Sequence, residues 1–224
     1  RALSNNLTGS FNCAFGDGAL QNSSGGRNIA IGSDVLAFTT GSNNIGVGFN
    51  SLLINATGNN NIAIGSNTLS LNGNGSDNVA TGYESMLSNL SGSGNTAVGA
   101  FTLFTNQTGG SNVAIGRSAL SANQTGNSNV AIGTVALISS VSASHNTAVG
   151  HQSLLNTTGA ENVALGAFSA VSNTSGVNNV AVGYRALLRN TTGSNNVAIG
   201  TNSAPNLTTE SGNIVISNNN ALGV

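Results

Sequence analysis

The chain has 224 residues with 5 Lys+Arg and 6 Asp+Glu, so 5% of it is charged where about 25% is usual for a soluble domain. All five cations are Arg, which leaves no basic patch to neutralise a run of phosphates or to hold an anionic lipid surface. Apolar runs are short and broken by Gly, Asn or Ser, far below the ~20 residues needed to cross a bilayer, and the single Cys13 supports neither an internal disulfide framework nor a thiolate metal cluster.

In place of charge the chain carries 38 Asn and 31 Gly, a profile shared by disordered segments and repetitive solenoids. Periodicity decides between them. Arg1-Ala2-Leu3 matches Arg185-Ala186-Leu187, so the sequence is read as starting in the middle of a repeat. From there a tetrapeptide of the form [V/I]-A-[I/V]-G recurs, with looser copies at 13, 79, 96, 147 and 214 filling the gaps, so that starts fall at 13, 29, 45, 62, 79, 96, 113, 130, 147, 163, 180, 197 and 214, always 16 or 17 residues apart. So short and regular a period predicts stacked units, each too small to bury a core alone. The expectation is one repeat-built solenoid over 1–224 with an atypical last coil at 213–224, where Ser217 replaces the repeat's Gly and Val215 its Ala.

Within each repeat, the first element is a three-residue strand whose β-branched residues alternate with Ala. The β-branched face is expected to point inward and the small Ala face outward, closely approached by something else. A Gly follows in twelve copies: Gly16, Gly32, Gly48, Gly65, Gly82, Gly99, Gly116, Gly133, Gly150, Gly166, Gly183 and Gly200. These are read as turn glycines with positive φ or no room for a Cβ. Four residues later an apolar column (Leu20, Leu36, Leu52, Leu69, Met86, Leu103, Leu120, Leu137, Leu154, Leu187) is expected to be the inward residue of a second short strand. The strongest column lies just before each first strand: Asn12, Asn28, Asn44, Asn61, Asn78, Asn95, Asn112, Asn129, Asn146, Asn162, Asn179, Asn196 and Asn213. Asn tolerates the left-handed region and its amide both donates and accepts, so this column is read as a structural ladder that holds the turns together.

Chemistry-bearing side chains are sparse. Asp17, Asp34, Asp77, Glu84, Glu161 and Glu210 occupy different columns with no recurring partner, and His145 and His151 flank one strand rather than sharing a metal-ligand spacing. No catalytic residue, metal or cofactor is expected. A column of sequons, Asn22, Asn55, Asn89, Asn106, Asn123, Asn156, Asn173, Asn190 and Asn206, reads as turn chemistry, as a stripe of glycosylation sites or as a surface lattice of Asn and Thr. The lattice reading makes an ice-binding or other ligand-binding solenoid the competing function.

The unit N-[V/I]-A-[I/V]-G-x-x-[A/S], complete from Val180 to Asn196 with its longer N-T-T-G-x-N-N form at Asn190–Asn196, resembles the head repeats of YadA-like trimeric autotransporter adhesins. It also resembles repeats of phage or viral tail-fibre proteins. The resemblance implies a left-handed parallel β-roll, three chains side by side, and an adhesive role on a cell surface or virion fibre. Its partners would be copies of itself and a host-cell, matrix or glycan receptor. Candidate recognition positions follow the turn glycines: Phe49, Tyr83, Phe101, Arg117, His151, Tyr184 and Arg185.

Overall fold

Every [V/I]-A-[I/V] segment forms a strand of three residues, in the computed structural model, which describes residues 1–6 and 8–217. The chain is an all-β parallel β-solenoid of about 12 to 13 coils, with no helix among the described residues. It divides into two compact units, residues 1–112 and 113–224. In the first, Cys13–Phe15, Ile29–Ile31, Ile45–Val47, Ile62–Ile64, Val79–Thr81 and Thr96–Val98 pair in parallel. In the second, Val113–Ile115, Val130–Ile132, Thr147–Val149, Val163–Leu165, Val180–Val182, Val197–Ile199 and Ile214–Ile216 do the same. Register is constant, Ala facing Ala: Val113, Ala114 and Ile115 lie against Val130, Ala131 and Ile132. Of the atypical last coil, residues 218–224 lie outside the described residues.

The strands face the opposite way from the sequence expectation. Ala30, Ala63, Ala80, Ala97, Ala114, Ala131, Ala148, Ala164, Ala181 and Ala198 are completely buried, while Ile31, Ile64, Ile115 and Ile199 remain 38–43% exposed. The cause is the width of the coil. Sixteen or seventeen residues enclose the Leu column, a column of small residues three places after each turn Gly, and two rows of amides, which leaves room for one methyl on the strand side. The lone glycine in the Ala column shows how little room there is. At Gly46 an added Cβ would lie 2.5 Å from Val35 Cγ1, because Val35 is larger than the Ala, Ser or Thr found at the equivalent place in other coils.

The Leu column supplies the apolar core, and Leu20, Leu36, Leu52, Leu69, Met86, Leu103, Leu120, Leu137, Leu154 and Leu187 are fully buried. These residues do not sit on a second strand as expected. They lie in turns in the left-handed region, with φ of 46–52°. Among the described residues a second sheet is found in the first unit alone, two residues further on, as the two-residue strands Asn22–Ser23, Phe38–Thr39, Ile54–Asn55 and Leu71–Asn72. The turn preceding each Leu is tight enough to need the glycine before it. Gly133 has φ 133°, and a Cβ there would meet the Gly150 carbonyl oxygen at 2.6 Å.

Candidate functional surface

Two rows of amides run through the interior. In the first, an Asn of the column before the strands accepts, through its Oδ1, the backbone N–H of the corresponding Asn one coil on. Asn28 donates to Asn12 at 2.8 Å and Asn44 to Asn28 at 2.8 Å. The same step runs from Asn61 to Asn44, Asn78 to Asn61, Asn95 to Asn78 and Asn112 to Asn95. In the second unit it runs from Asn146 to Asn129, Asn162 to Asn146, Asn179 to Asn162, Asn196 to Asn179 and Asn213 to Asn196. The left-handed backbone belongs not to these residues but to the one before each, such as Arg27, Asp77, His145 and Asn178. The ladder column is therefore selected for its amide, and the turn column beside it for tolerance of positive φ.

The second row was not anticipated as interior. Asn55, Asn89, Asn106, Asn123, Asn173 and Asn190 of the sequon column are fully buried, together with Asn72. Asn72 donates to Asn55 Oδ1 at 2.6 Å, Asn89 to Asn72 at 2.7 Å and Asn190 to Asn173 at 2.8 Å. Where a coil has an amide in both rows, the two meet on one carbonyl: Gly193 O accepts from Asn179 Nδ2 at 2.8 Å and from Asn190 Nδ2 at 2.9 Å. This corrects the surface reading of the sequons, since a buried, hydrogen-bonded amide offers neither a glycan attachment point nor half of an exposed lattice. Only Asn22, Asn156 and Asn206 of that set are exposed. At the first two the interior place is taken one residue later, by Ser23 and Thr157. The outer Thr hydroxyls are also engaged, Thr158 donating to Thr174 O at 3.0 Å and Thr191 to Thr208 O at 2.9 Å.

Ser23, Thr39 and Thr157 follow a rule linked to coil length. All three occupy 16-residue coils, in which Thr closes a turn to the Gly two places on, Gly41 N–H donating to Thr39 Oγ1 at 3.1 Å and Gly159 N–H to Thr157 Oγ1 at 3.2 Å, whereas the buried Ser23 Oγ has no hydrogen-bond partner. In 17-residue coils Asn spans three places, as from Asn55 Nδ2 to Gly58 O at 2.7 Å. A hydroxyl fits the short turn and an amide the long one. Ser140 sits in a 17-residue coil, and its buried Oγ finds no partner.

The outer surface carries two features. The first is the apolar face made by the β-branched residues of the strands, two side chains per coil, on which Cys13 and Phe15 are also exposed. The second is aromatic. Tyr83 and Phe101 stack edge to face at 5.4 Å, with Phe104 at 6.0 Å from Phe101. In the other unit His151 and Phe168 do so at 5.3 Å, and Phe168 and Tyr184 at 6.0 Å. The Arg185 guanidinium lies 5.0 Å from the Tyr184 ring centre and 5.8 Å from that of Phe168. A hydrogen bond to the Glu84 carboxylate raises the Tyr83 phenol above its ordinary pKa. Of the other candidate positions, Phe49 is exposed and belongs to neither cluster, and Arg117 stands apart from the rings.

Among the described residues no three His, Cys, Asp or Glu side chains come together as a metal site, and no helix is long and apolar enough to cross a membrane. The carboxylates stay dispersed. Glu210 accepts from the Thr208 and Thr209 N–H groups at 2.7 and 3.0 Å, which holds its carboxyl below the ordinary glutamate value. Compared with family models, curated proteins and solved structures, the chain matches none.

Proposed function

We propose that the chain is a non-enzymatic structural and adhesive segment of an extracellular or virion surface fibre, built from copies of itself packed side by side as a homotrimer. The observation that carries this reading is the outward Val and Ile face. Isolated soluble proteins seldom leave a contiguous apolar patch of more than a few hundred Å² uncovered, yet nearly every coil adds two such residues in constant register. The arrangement gives side-by-side packing a different seat from the one the sequence suggested: the β-branched residues cover one another between chains, and the Ala column fills the inside. The likeness of the repeat to trimeric adhesin heads and tail fibres supports the same assembly.

Sedimentation velocity and native mass spectrometry test it. The intact chain is expected to be trimeric. Replacing Ile115, Ile132 and Leu165 together by Thr should give folded monomers, because Thr81 already stands in this column. A wild-type chain that stays monomeric at tens of micromolar overturns the side-by-side reading. Thermal hysteresis from such a monomer would favour an ice-binding function instead.

A further inference from the structure

The chain has seven Phe and two Tyr, and none of these nine rings is buried. That is unusual, because aromatic side chains ordinarily bring the largest apolar area to a core; here Leu, Ala and amides fill the interior. Five of the nine gather into the two edge-to-face clusters. Tyr83–Phe101 and His151–Phe168 repeat the same geometry, with ring planes at 84° and 86°. In each cluster the central Phe, Phe101 or Phe168, is held in the left-handed region at φ 59–60°, where bulky residues are uncommon and which is costly for them. The coil does not demand a ring there, since Gly18, Asn50, Asn67 and Asn202 take the same turn position elsewhere and suit positive φ.

The geometry points to these clusters as binding platforms for a neutral, extended polysaccharide, with the His151–Phe168–Tyr184–Arg185 cluster as the principal site. His151 and Tyr184 are two coils apart, about 10 Å at the ~4.8 Å spacing of neighbouring strands, which is the length of a disaccharide in an extended chain. A sugar polymer lying across the coils would therefore meet a ring at each step. Aromatic rings take the C–H faces of pyranoses through dispersion and weak C–H contacts. The Arg185 guanidinium, already aligned over two rings, presents N–H donors to hydroxyl oxygens at the same edge. A neutral ligand is favoured by charge: the formal net charge is −1 and there is no Lys, whereas single-stranded nucleic acid stacked on aromatic rings also needs a cationic track for its phosphates. This inference names a partner for the adhesive half of the proposed function and rests on that half, not on side-by-side assembly.

Affinity electrophoresis of the intact chain in native gels containing hydroxyethyl cellulose, β-glucan or mannan tests it, with alginate and single-stranded DNA as polyanion controls. Retardation is expected in at least one neutral gel and in neither control. Tyr184→Ala and Phe168→Asn should each weaken it about tenfold, while Tyr184→Phe retains it, and circular dichroism checks that every variant keeps the wild-type β signal. Asn at 168 keeps the left-handed turn, so loss of binding there reads the ring rather than the backbone. Absence of retardation in all neutral gels, retardation unchanged in both ring variants, or retardation only by the polyanions overturns the platform. A trimer that is not retarded refutes the platform alone, and a retarded monomer refutes the side-by-side assembly alone.

Discussion

Adjacent residues Asn178 and Asn179 separate the two jobs that Asn performs in this fold. Asn179 is buried; its Oδ1 accepts the Asn196 N–H at 3.0 Å, and its Nδ2 donates to Asn162 Oδ1 at 3.1 Å and to Gly193 O at 2.8 Å. Asn178 is exposed and sits at φ 57°. In Asn179→Ala the Asn196 N–H is left buried without an acceptor, at about 1–3 kcal/mol, and two amide bonds are lost at about 1 kcal/mol each, giving about 3–5 kcal/mol. Gly193 O is not orphaned, since Asn190 still donates to it at 2.9 Å. Asn178→Gly leaves the ladder intact and suits positive φ, so it should stay within about 0.5 kcal/mol of wild type. Equilibrium unfolding in guanidinium gives both values. Hydrogen exchange at the Asn196 amide adds a local reading that survives if the coils do not unfold together. Equal costs for the two substitutions, or less than about 1 kcal/mol for Asn179→Ala with unchanged exchange at Asn196, would refute the assignment of ladder and turn to different residues.

Four further outcomes follow from particular contacts. Gly46→Ala should cost about 1–3 kcal/mol by forcing a methyl against Val35, and Val35→Ala in the same chain should recover most of it, measured as a double-mutant cycle. Ser140→Asn should raise the melting temperature by roughly 2–4 °C, corresponding to about 1 kcal/mol, because an amide there can donate to Ala143 O three places on as Asn55 does to Gly58. Val135 is β-branched at φ 55°, a conformation costing about 1–2 kcal/mol for ordinary L-residues, so Val135→Asn should stabilise the fold in the same melting assay. Glu210 has a lowered folded pKa, so its contribution is present above the unfolded glutamate pKa and is lost as pH falls through the folded value. The stability advantage of the wild type over Glu210→Gln should therefore be present near neutrality and shrink on the acid side.

The repeat, its length, the parallel stacking and the position of the first strand in each coil were legible in the sequence because the columns coincide at every coil, whereas the second strand was placed on the Leu column, which lies in turns. The direction of the strand faces was misread. Hydrophobicity alone put Val and Ile inside, whereas the better signal was the upper limit on size: the first and third strand columns admit Cys13, Phe15, Thr81, Thr96 and Thr147, but the middle column holds only Ala or Gly before Val215. A column that tolerates anything from Thr to Phe faces outward, and one that never exceeds a methyl faces a narrow interior. The inward amides of the sequon column were missed for a related reason. Asn reads as a surface residue, and only its pairing with a Gly carbonyl exactly one turn length away distinguishes an interior role. The aromatic clusters were partly visible as residues after the turn glycines, but their stacking depends on side chains from different coils, which spacing along one repeat does not reveal.

The link between coil length and the interior residue bears on how such a chain can change over generations. Gaining or losing one residue within a strand would turn its outward row inward, and nothing nearby could absorb the shift. At the corner where Thr39 or Thr157 closes a short turn and Asn55 or Asn173 a long one, a single-codon deletion accompanied by an Asn-to-Thr exchange leaves every strand in register. That corner is where length variation between coils should accumulate, and it gives anyone splicing, shortening or extending the array a safe place to cut.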